Sequence, residues 1–158
     1  MEKTEQYRLL ERQVAALVEG ETDTIAKMAN IAAVLHETFG FWWTGFYRVA
    51  GSDAELVEAP SPRELVLGPF QGPVACMHIP YGKGVCGTAW KRNETVVVPD
   101  VEEFPGHIAC SSASKSEIVV PVHGADGEVT AVLDIDSDRL ATFDEIDKDW
   151  LERIVTLL

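Results

Sequence analysis

Residues 117–136 read EIVVPVHGADGEVTAVLDID, two apolar runs separated by Gly124-Ala125-Asp126-Gly127. A short connection that contains Gly and Asp favours a β-hairpin. Strands are therefore predicted at Glu117–His123 and Glu128–Asp136, and this hairpin indicates an antiparallel sheet.

Other parts of the chain add further strands to this hairpin. Four further strands are predicted, because these segments are rich in β-branched and aromatic residues or end at a proline. They are Trp42–Val49, Glu55–Ala59, Val74–Ile79 and Thr95–Val98. Between them, Glu64–Pro73 contains glycines and prolines that indicate an ordered loop, and Gly84–Arg92 is predicted to be a short helix.

Helices are predicted at both ends of the chain, because apolar residues recur there at helical spacing. The stripes are Tyr7, Leu10, Val14, Leu17 and Val18 in the first helix; Ile25, Met28, Ala32, Leu35 and Phe39 in the second; and Ile146, Trp150, Ile154 and Leu157 in the last. Thr22 or Asp23 can cap the second helix, Gly40 ends it, and Thr142-x-x-Glu145 reads as a capping box for the last. The pattern predicts one α+β domain over residues 1–158, with a mainly antiparallel sheet of about six strands.

Composition excludes several classes of function. A net charge of −13 argues against binding to nucleic acid or an anionic membrane, which needs clustered Lys and Arg. No apolar run approaches the ~20 residues of a membrane span, and the charged N-terminus lacks a signal core. Three cysteines are an odd number without the density of a disulfide scaffold, so we expect reduced thiols and a cytoplasmic location.

A loop with a thiol, FPGHIACSSASKSEIVVP at 104–121, is the first candidate site. It presents Cys110 in a turn-rich segment and leads into a strand that begins with Glu117. Redox chemistry needs a nucleophilic thiolate and a second thiol within reach, for which Cys76 and Cys86 are available. From the residues alone, two interpretations of these cysteines are about equally supported: redox-active thiols, and small hydrophobic residues that are buried and inert.

Two acids, Asp134 and Asp136, are the second candidate. Alternation along a strand directs both carboxylates to one face and Ile135 to the other. They can form a cluster with Glu117 that receives a cationic group, and neighbouring carboxylates raise one another's pKa, so that one can remain protonated as an acid. The alternative is that the strand simply ends in solvent.

Other motifs favour structural explanations. The glycines of Gly82–Gly87 match GxGxxG, but the short helix that follows and the lack of alternating strands and long helices favour a tight turn over dinucleotide binding. Cys76, His78, Cys86, His107, Cys110 and His123 could supply zinc ligands, yet the paired cysteines of structural zinc sites are absent, so no metal or other cofactor is expected. The aromatic residues Trp42, Trp43, Phe46 and Tyr47 suit a core, and some can line a pocket.

Five ordered motifs together resemble the free methionine-(R)-sulfoxide reductases, enzymes with a GAF fold. They are WTGFY (43–47), GPVACMHIPYGKGVCGTAW (72–90), FPGHIAC (104–110), SEIVVP (116–121) and LDIDS (133–137). The resemblance implies reduction of the free amino-acid sulfoxide, with thioredoxin as reductant, and a homodimer is common in the family. The chain departs from the family pattern at Ser111, where Asp is common.

The resemblance also implies roles for cysteines. Cys110 matches the catalytic cysteine that attacks the sulfoxide and becomes a sulfenic acid, and Cys76 matches the usual resolving cysteine. Cys86 matches a third cysteine whose part varies.

The remaining matches concern the substrate. Glu117, Asp134 and Asp136 match acids around it, and Trp43 and Tyr47 match aromatics that receive its methyl group. We expect Glu117 and Asp136 to face the sulfoxide and Asp134 to face the ammonium group.

The sequence is also compatible with two other functions. A non-catalytic GAF sensor would bind a small ligand without transforming it, although such modules normally accompany an effector domain. A zinc-stabilised interaction domain would contain stoichiometric metal.

Overall fold

The computed structural model describes residues 1–50, 63–107 and 113–158. These ranges contain four α-helices and six strands. In chain order they are α1 (Lys3–Val18), α2 (Thr24–Phe39), β1 (Trp43–Val49), β2 (Glu64–Gln71), β3 (His78–Pro80), α3 (Gly84–Arg92), β4 (Val96–Val98), β5 (Ser116–His123), β6 (Val129–Ser137) and α4 (Glu145–Ile154). None of the helices in these ranges combines the length and apolarity that crossing a bilayer requires.

The strands form one sheet in the order β3-β2-β1-β6-β5-β4, with each neighbouring pair antiparallel. Strands β1 and β6 are central, and β6 pairs with β5 in a hairpin that closes with a hydrogen bond from the Gly124 amide to the Glu128 carbonyl at 2.8 Å. Gly127 occupies the left-handed region with φ 82°, which glycine adopts without steric cost. The α+β class, the sheet of six strands and the hairpin are confirmed.

The two faces of the sheet bury different sets of apolar side chains. One set packs under α1, α2 and α4 and includes Phe46, Ile118, Val120, Leu133 and Ile135. The other faces α3 and includes Trp43, Tyr47, Val119 and Val132. Successive side chains along a strand alternate between the two faces of the sheet. Glu117, next to Ile118, and Asp134, next to Leu133, are therefore directed toward α3.

Helix ends follow the predicted signals in part. Asp23 caps α2 by accepting a hydrogen bond from the Ala26 amide at 3.0 Å, and Gly40 ends it with φ 66°. The capping box predicted at Thr142 and Glu145 is wrong: Asp144 and Asp147 form it instead. Thr142 is unavailable because its hydroxyl donates to Ser137 at 2.6 Å.

Several strand and helix-face predictions differ from the structure. Residues 64–71, predicted as a loop, form β2. The register shifts between Gly45 and Tyr47 of β1, opposite Gly68 and Pro69, and such a bulge accommodates a proline that has no amide to donate.

The predicted strand Val74–Ile79 is mostly irregular, since β3 begins only at His78. Three predicted core positions, Leu17, Ile25 and Ile146, are 47%, 42% and 39% exposed. The predicted strand Glu55–Ala59 lies outside the described residues.

Tyr7→Phe is expected to destabilise the fold by about 2 kcal/mol, because buried hydrogen bonds to charged groups contribute about 1.5–3 kcal/mol. The Tyr7 hydroxyl donates to the buried Asp147 carboxylate at 2.6 Å and links α1 to α4. Chemical denaturation measures the change in the free energy of unfolding. Arg8→Ala is the control, because the exposed Arg8–Glu5 pair should contribute less than about 0.5 kcal/mol. Equal losses of unfolding free energy in both variants would contradict a larger contribution from the buried Tyr7–Asp147 hydrogen bond.

Candidate active site

A cavity, partly open to solvent, lies on the α3 face of the sheet. Side chains from β1, β5, β6 and α3 form its walls, together with the segment before β3 and with His107 and Ser114. The described lining residues are Trp42, Trp43, Tyr47, Val74, Ala75, Ile79, Gly84, Val85, Cys86, His107, Ser114, Glu117, Asp134 and Asp136.

Strand register brings three carboxyl groups together in this cavity. Asp136 on β6 lies opposite Glu117 on β5 and opposite Trp43 on β1, and Asp134 lies opposite Gly45. Glu117 and Asp134 are each only 6% exposed. The interpretation that β6 ends in solvent at these acids is therefore wrong, because two cross-strand neighbours and α3 enclose them.

Burial of the carboxyl cluster favours protonated forms. Burial, followed by the charge of Asp134, raises the pKa of Glu117 and of Asp136 well above the ordinary carboxyl range. Burial also raises the pKa of Asp134, but hydrogen bonds with Glu117 and Cys86 oppose that rise. Asp134 is thus the best placed of the three to be ionised, whereas burial favours the protonated forms of Glu117 and Asp136.

Cys86 is a free, buried thiol on the first turn of α3. Burial and the nearby acids raise the pKa of this thiol well above its usual value, so it is a poor nucleophile in this environment. The sulfur and the carboxylate oxygens of Glu117 and Asp134 lie within 4.8 Å of one another, a donor set that could hold a metal ion.

Cys76 differs from Cys86 in both position and state. It precedes β3 rather than lying on a strand, it is half-buried, and it is disulfide-bonded. The Tyr47 hydroxyl donates to its carbonyl oxygen at 2.9 Å, which ties this segment to the cavity wall. Cys110 and Ser111, both singled out from the sequence, lie outside the described residues.

Aromatic rings lie beside the acids, on the same face of the sheet. The Trp43 indole stacks on Phe70 at 5.3 Å and on Tyr47 at 5.9 Å, and its Nε1 donates to the Pro73 carbonyl at 3.0 Å. Burial raises the pKa of Tyr47, so its hydroxyl remains protonated. Trp43 and Tyr47 are thus fixed in place beside the carboxyl cluster.

The sequence interpretation did not single out Ser114 or Gly45, and it considered His107 only as a possible zinc ligand. Ser114 donates to Asp136 at 3.0 Å, and nothing in its small polar loop distinguished it from its neighbours. His107 lines the cavity, and burial lowers its pKa; its place three residues before Cys110 was the available signal. Gly45 was quoted only as part of a motif.

Gly45→Ala is expected to displace Trp43 and to destabilise the protein by about 1–3 kcal/mol, as overpacking does. A Cβ at position 45 would lie 2.4 Å from the Cβ of Phe70 and 2.6 Å from the Trp43 ring. Thermal melting and Trp fluorescence measure the two effects.

The control for this variant is Gly127→Ala. Position 127 has φ 82° and open space around it, so the alanine should cost about 1 kcal/mol through backbone strain alone and leave the tryptophan spectrum unchanged. An unchanged spectrum in Gly45→Ala as well would contradict the proposed contact.

Comparison with known proteins places this fold and site in a class. The family model described as "GAF domain" matches residues 20–158. The chain is 54% identical over 156 residues to "GAF domain-containing protein A" of Dictyostelium discoideum, covering 99% of this chain and 92% of that protein.

Two further relatives carry a more specific name. The "Free methionine-R-sulfoxide reductase" of Escherichia coli is 45% identical over 159 residues, covering all of this chain and 89% of that protein. A crystal structure of free methionine-R-sulfoxide reductase from Neisseria meningitidis in complex with its substrate has a TM-score of 0.89 and 48% identity, covering 99% of this chain and 88% of that one. The chain belongs to the GAF domain family and, within it, to the free methionine-R-sulfoxide reductases, which confirms the resemblance of the five motifs.

Proposed function

We propose that this protein reduces free L-methionine-(R)-sulfoxide to methionine by cysteine sulfenic acid and disulfide chemistry. The observation that carries the proposal is the cluster of Glu117, Asp134 and Asp136, which shares one cavity with Trp43 and Tyr47 in a member of this family. Each part of that cavity matches one part of the substrate.

The substrate is placed by charge and polarity. Its ammonium group lies at Asp134, the acid best placed to be ionised, whose Oδ1 has no hydrogen-bond partner among the described residues. The methyl group lies against Trp43 and Tyr47, which offer an apolar wall. The sulfoxide oxygen lies at Glu117 and Asp136, whose raised pKa values keep a proton available.

The first chemical step is attack by the Cys110 thiolate on the sulfoxide sulfur. A sulfoxide is a poor electrophile until its oxygen is polarised or protonated, and Glu117 with Asp136 does this. The oxygen passes to the cysteine sulfur, which is oxidised to a sulfenic acid, while the substrate sulfur gains the electron pair and leaves as methionine.

The second step removes the sulfenic acid. The Cys76 thiol attacks it, a disulfide forms and water leaves. The disulfide-bonded state of Cys76 and the free thiol of Cys86 support Cys76 as the resolving cysteine, and the raised pKa of Cys86 gives that thiol a supporting rather than an attacking part. A dithiol such as thioredoxin then reduces the disulfide, which suits a cytoplasmic location and is compatible with a homodimer.

Turnover of NADPH in the presence of thioredoxin and thioredoxin reductase tests the proposal. We expect oxidation of NADPH with free methionine-(R)-sulfoxide, and much slower oxidation with the (S) epimer or with peptide-bound sulfoxide. A sensor module would bind the sulfoxide without turnover. Mass spectrometry after one equivalent of sulfoxide should find a Cys76–Cys110 peptide, and a disulfide through Cys86 would overturn the assignment of the resolving cysteine.

A further inference from the structure

We propose that the cavity also binds a thiophilic divalent cation such as Zn²⁺, held by Cys86, Glu117 and Asp134, and that this cation excludes the substrate. The metal would be an inhibitor at this site and has no part in the reaction described above. The exclusion of substrate rests on the proposed function, whereas metal binding itself does not.

The donor atoms are close enough to share one ion. The Cys86 sulfur and one carboxylate oxygen each from Glu117 and Asp134 lie within 4.8 Å of one another. Donors around a tetrahedral zinc ion lie roughly 3.5 Å apart, since Zn–S is about 2.3 Å and Zn–O about 2.0–2.2 Å. Rotations that move these side chains by about 1 Å would therefore complete the site.

The elements that carry the donors are rigid. Glu117 and Asp134 lie on the adjacent interior strands β5 and β6, and Cys86 lies on the first turn of α3, which packs directly over them. All three side chains are buried, with at most 6% of each residue exposed. Ligands that are held this firmly lose little conformational freedom when an ion binds.

An unsatisfied polar atom points independently to a cationic ligand. The Asp134 Oδ1 atom is buried in the cavity wall and has no hydrogen-bond partner in the described parts of the chain. A buried oxygen of this kind is costly unless a donor or a cation occupies the adjacent space. An ammonium group can occupy it during turnover, and a metal ion can occupy it otherwise.

The donor types decide which metal is favoured. Metal binding displaces the proton of the Cys86 thiol, and the resulting thiolate selects a soft or borderline cation over Mg²⁺ and Ca²⁺, which prefer sets made only of oxygen. Three protein ligands leave one tetrahedral position open. His107 lines the same cavity.

Cobalt binding to the oxidised protein tests the site, because there Cys76 is in a disulfide and Cys86 provides the thiol. Titration with Co²⁺ should produce a thiolate-to-cobalt charge-transfer band that saturates at a stoichiometric ratio and disappears when Zn²⁺ is added. Cys86→Ser should abolish the band, and Asp134→Asn should weaken Co²⁺ binding at least about tenfold. Circular dichroism establishes that both variants remain folded.

The matched control is His78→Asn, which removes an exposed imidazole that pairs with Glu64 at 3.0 Å outside this cavity. Its Co²⁺ spectrum should be that of the wild type. Absence of the band in the wild type, or an unchanged affinity in Asp134→Asn, would overturn the metal site.

Calorimetry separates this inference from the proposed function. Zn²⁺ should prevent the oxidised protein from binding methionine-(R)-sulfoxide. Binding of both ligands at once would overturn the exclusion. Binding of the metal, together with no turnover of sulfoxide by the reduced protein, would instead refute the proposed function and leave the metal site standing.

Discussion

Cys110→Ser is expected to abolish reduction of free methionine-(R)-sulfoxide, including the first turnover. A serine hydroxyl is a far weaker nucleophile than a thiolate toward sulfur, so no sulfenic acid forms and no methionine is released. Rapid quenching of excess enzyme with limiting sulfoxide, followed by quantification of methionine, measures this first turnover without any reductant.

Cys76→Ser is the informative control for that experiment. This variant keeps the attacking thiol, so it should release about one equivalent of methionine and then stop, because its sulfenic acid has no resolving partner. The Tyr47 hydroxyl contacts only the backbone carbonyl at position 76, so the substitution leaves that contact in place. Methionine release by Cys110→Ser at the rate of the wild type would exclude Cys110 as the attacking group.

Glu117→Gln is expected to lower kcat by about 10²–10⁴, the usual contribution of a positioned general acid. The amide keeps the shape of the side chain and can still donate a hydrogen bond, but it has no proton to transfer to the sulfoxide oxygen. KM should change much less, because the ammonium group binds at Asp134. Steady-state kinetics at saturating thioredoxin measures both constants, and an unchanged kcat would be decisive against this role.

The pH profile provides a second readout of the same residue. Because the pKa values of Glu117 and Asp136 are raised above the ordinary carboxyl range, the protonated acid should persist above pH 5 and disappear as the pH rises through the raised values. Activity of the wild type should therefore fall on the alkaline side, and this fall should be weaker in Glu117→Gln.

Stability should follow the same carboxyl groups. A raised pKa in the folded state contributes stability that is fully present below the unfolded pKa and is lost as the pH rises through the folded value. Glu117→Gln should thus be more stable than the wild type at alkaline pH, by on the order of 1 kcal/mol, with the difference vanishing toward pH 4. Glu128→Gln, at an exposed position of the same hairpin, should show neither effect.

The parts of the fold that sequence reasoning recovered are those with local signals. The β5–β6 hairpin was predictable because alternation and a Gly-containing turn lie within a continuous stretch, and α3 was predicted with the bounds that the structure has. The shared face of Asp134 and Asp136 followed from the same alternation. Their meeting with Glu117 follows from the register of the hairpin, which depends on its turn.

The features that sequence reasoning missed depend on contacts across the fold. β2 contains Gly68 and Pro69, which indicate a loop by local propensity, and only pairing with β1 across a bulge makes this segment a strand. Gly45 resembles any flexible residue until the structure shows the Trp43 ring in the space that a side chain would occupy. Ser114 likewise becomes recognisable only when Asp136 is placed beside it.

The carboxyl groups lie on the interior strands β5 and β6, whereas Cys76 lies in an irregular segment before the edge strand β3. The described residues line a cavity while Cys76 is disulfide-bonded. The oxidised enzyme should therefore still bind its substrate reversibly, without reducing it. When reductant is scarce, we expect the oxidised protein to keep methionine sulfoxide bound until its disulfide is reduced.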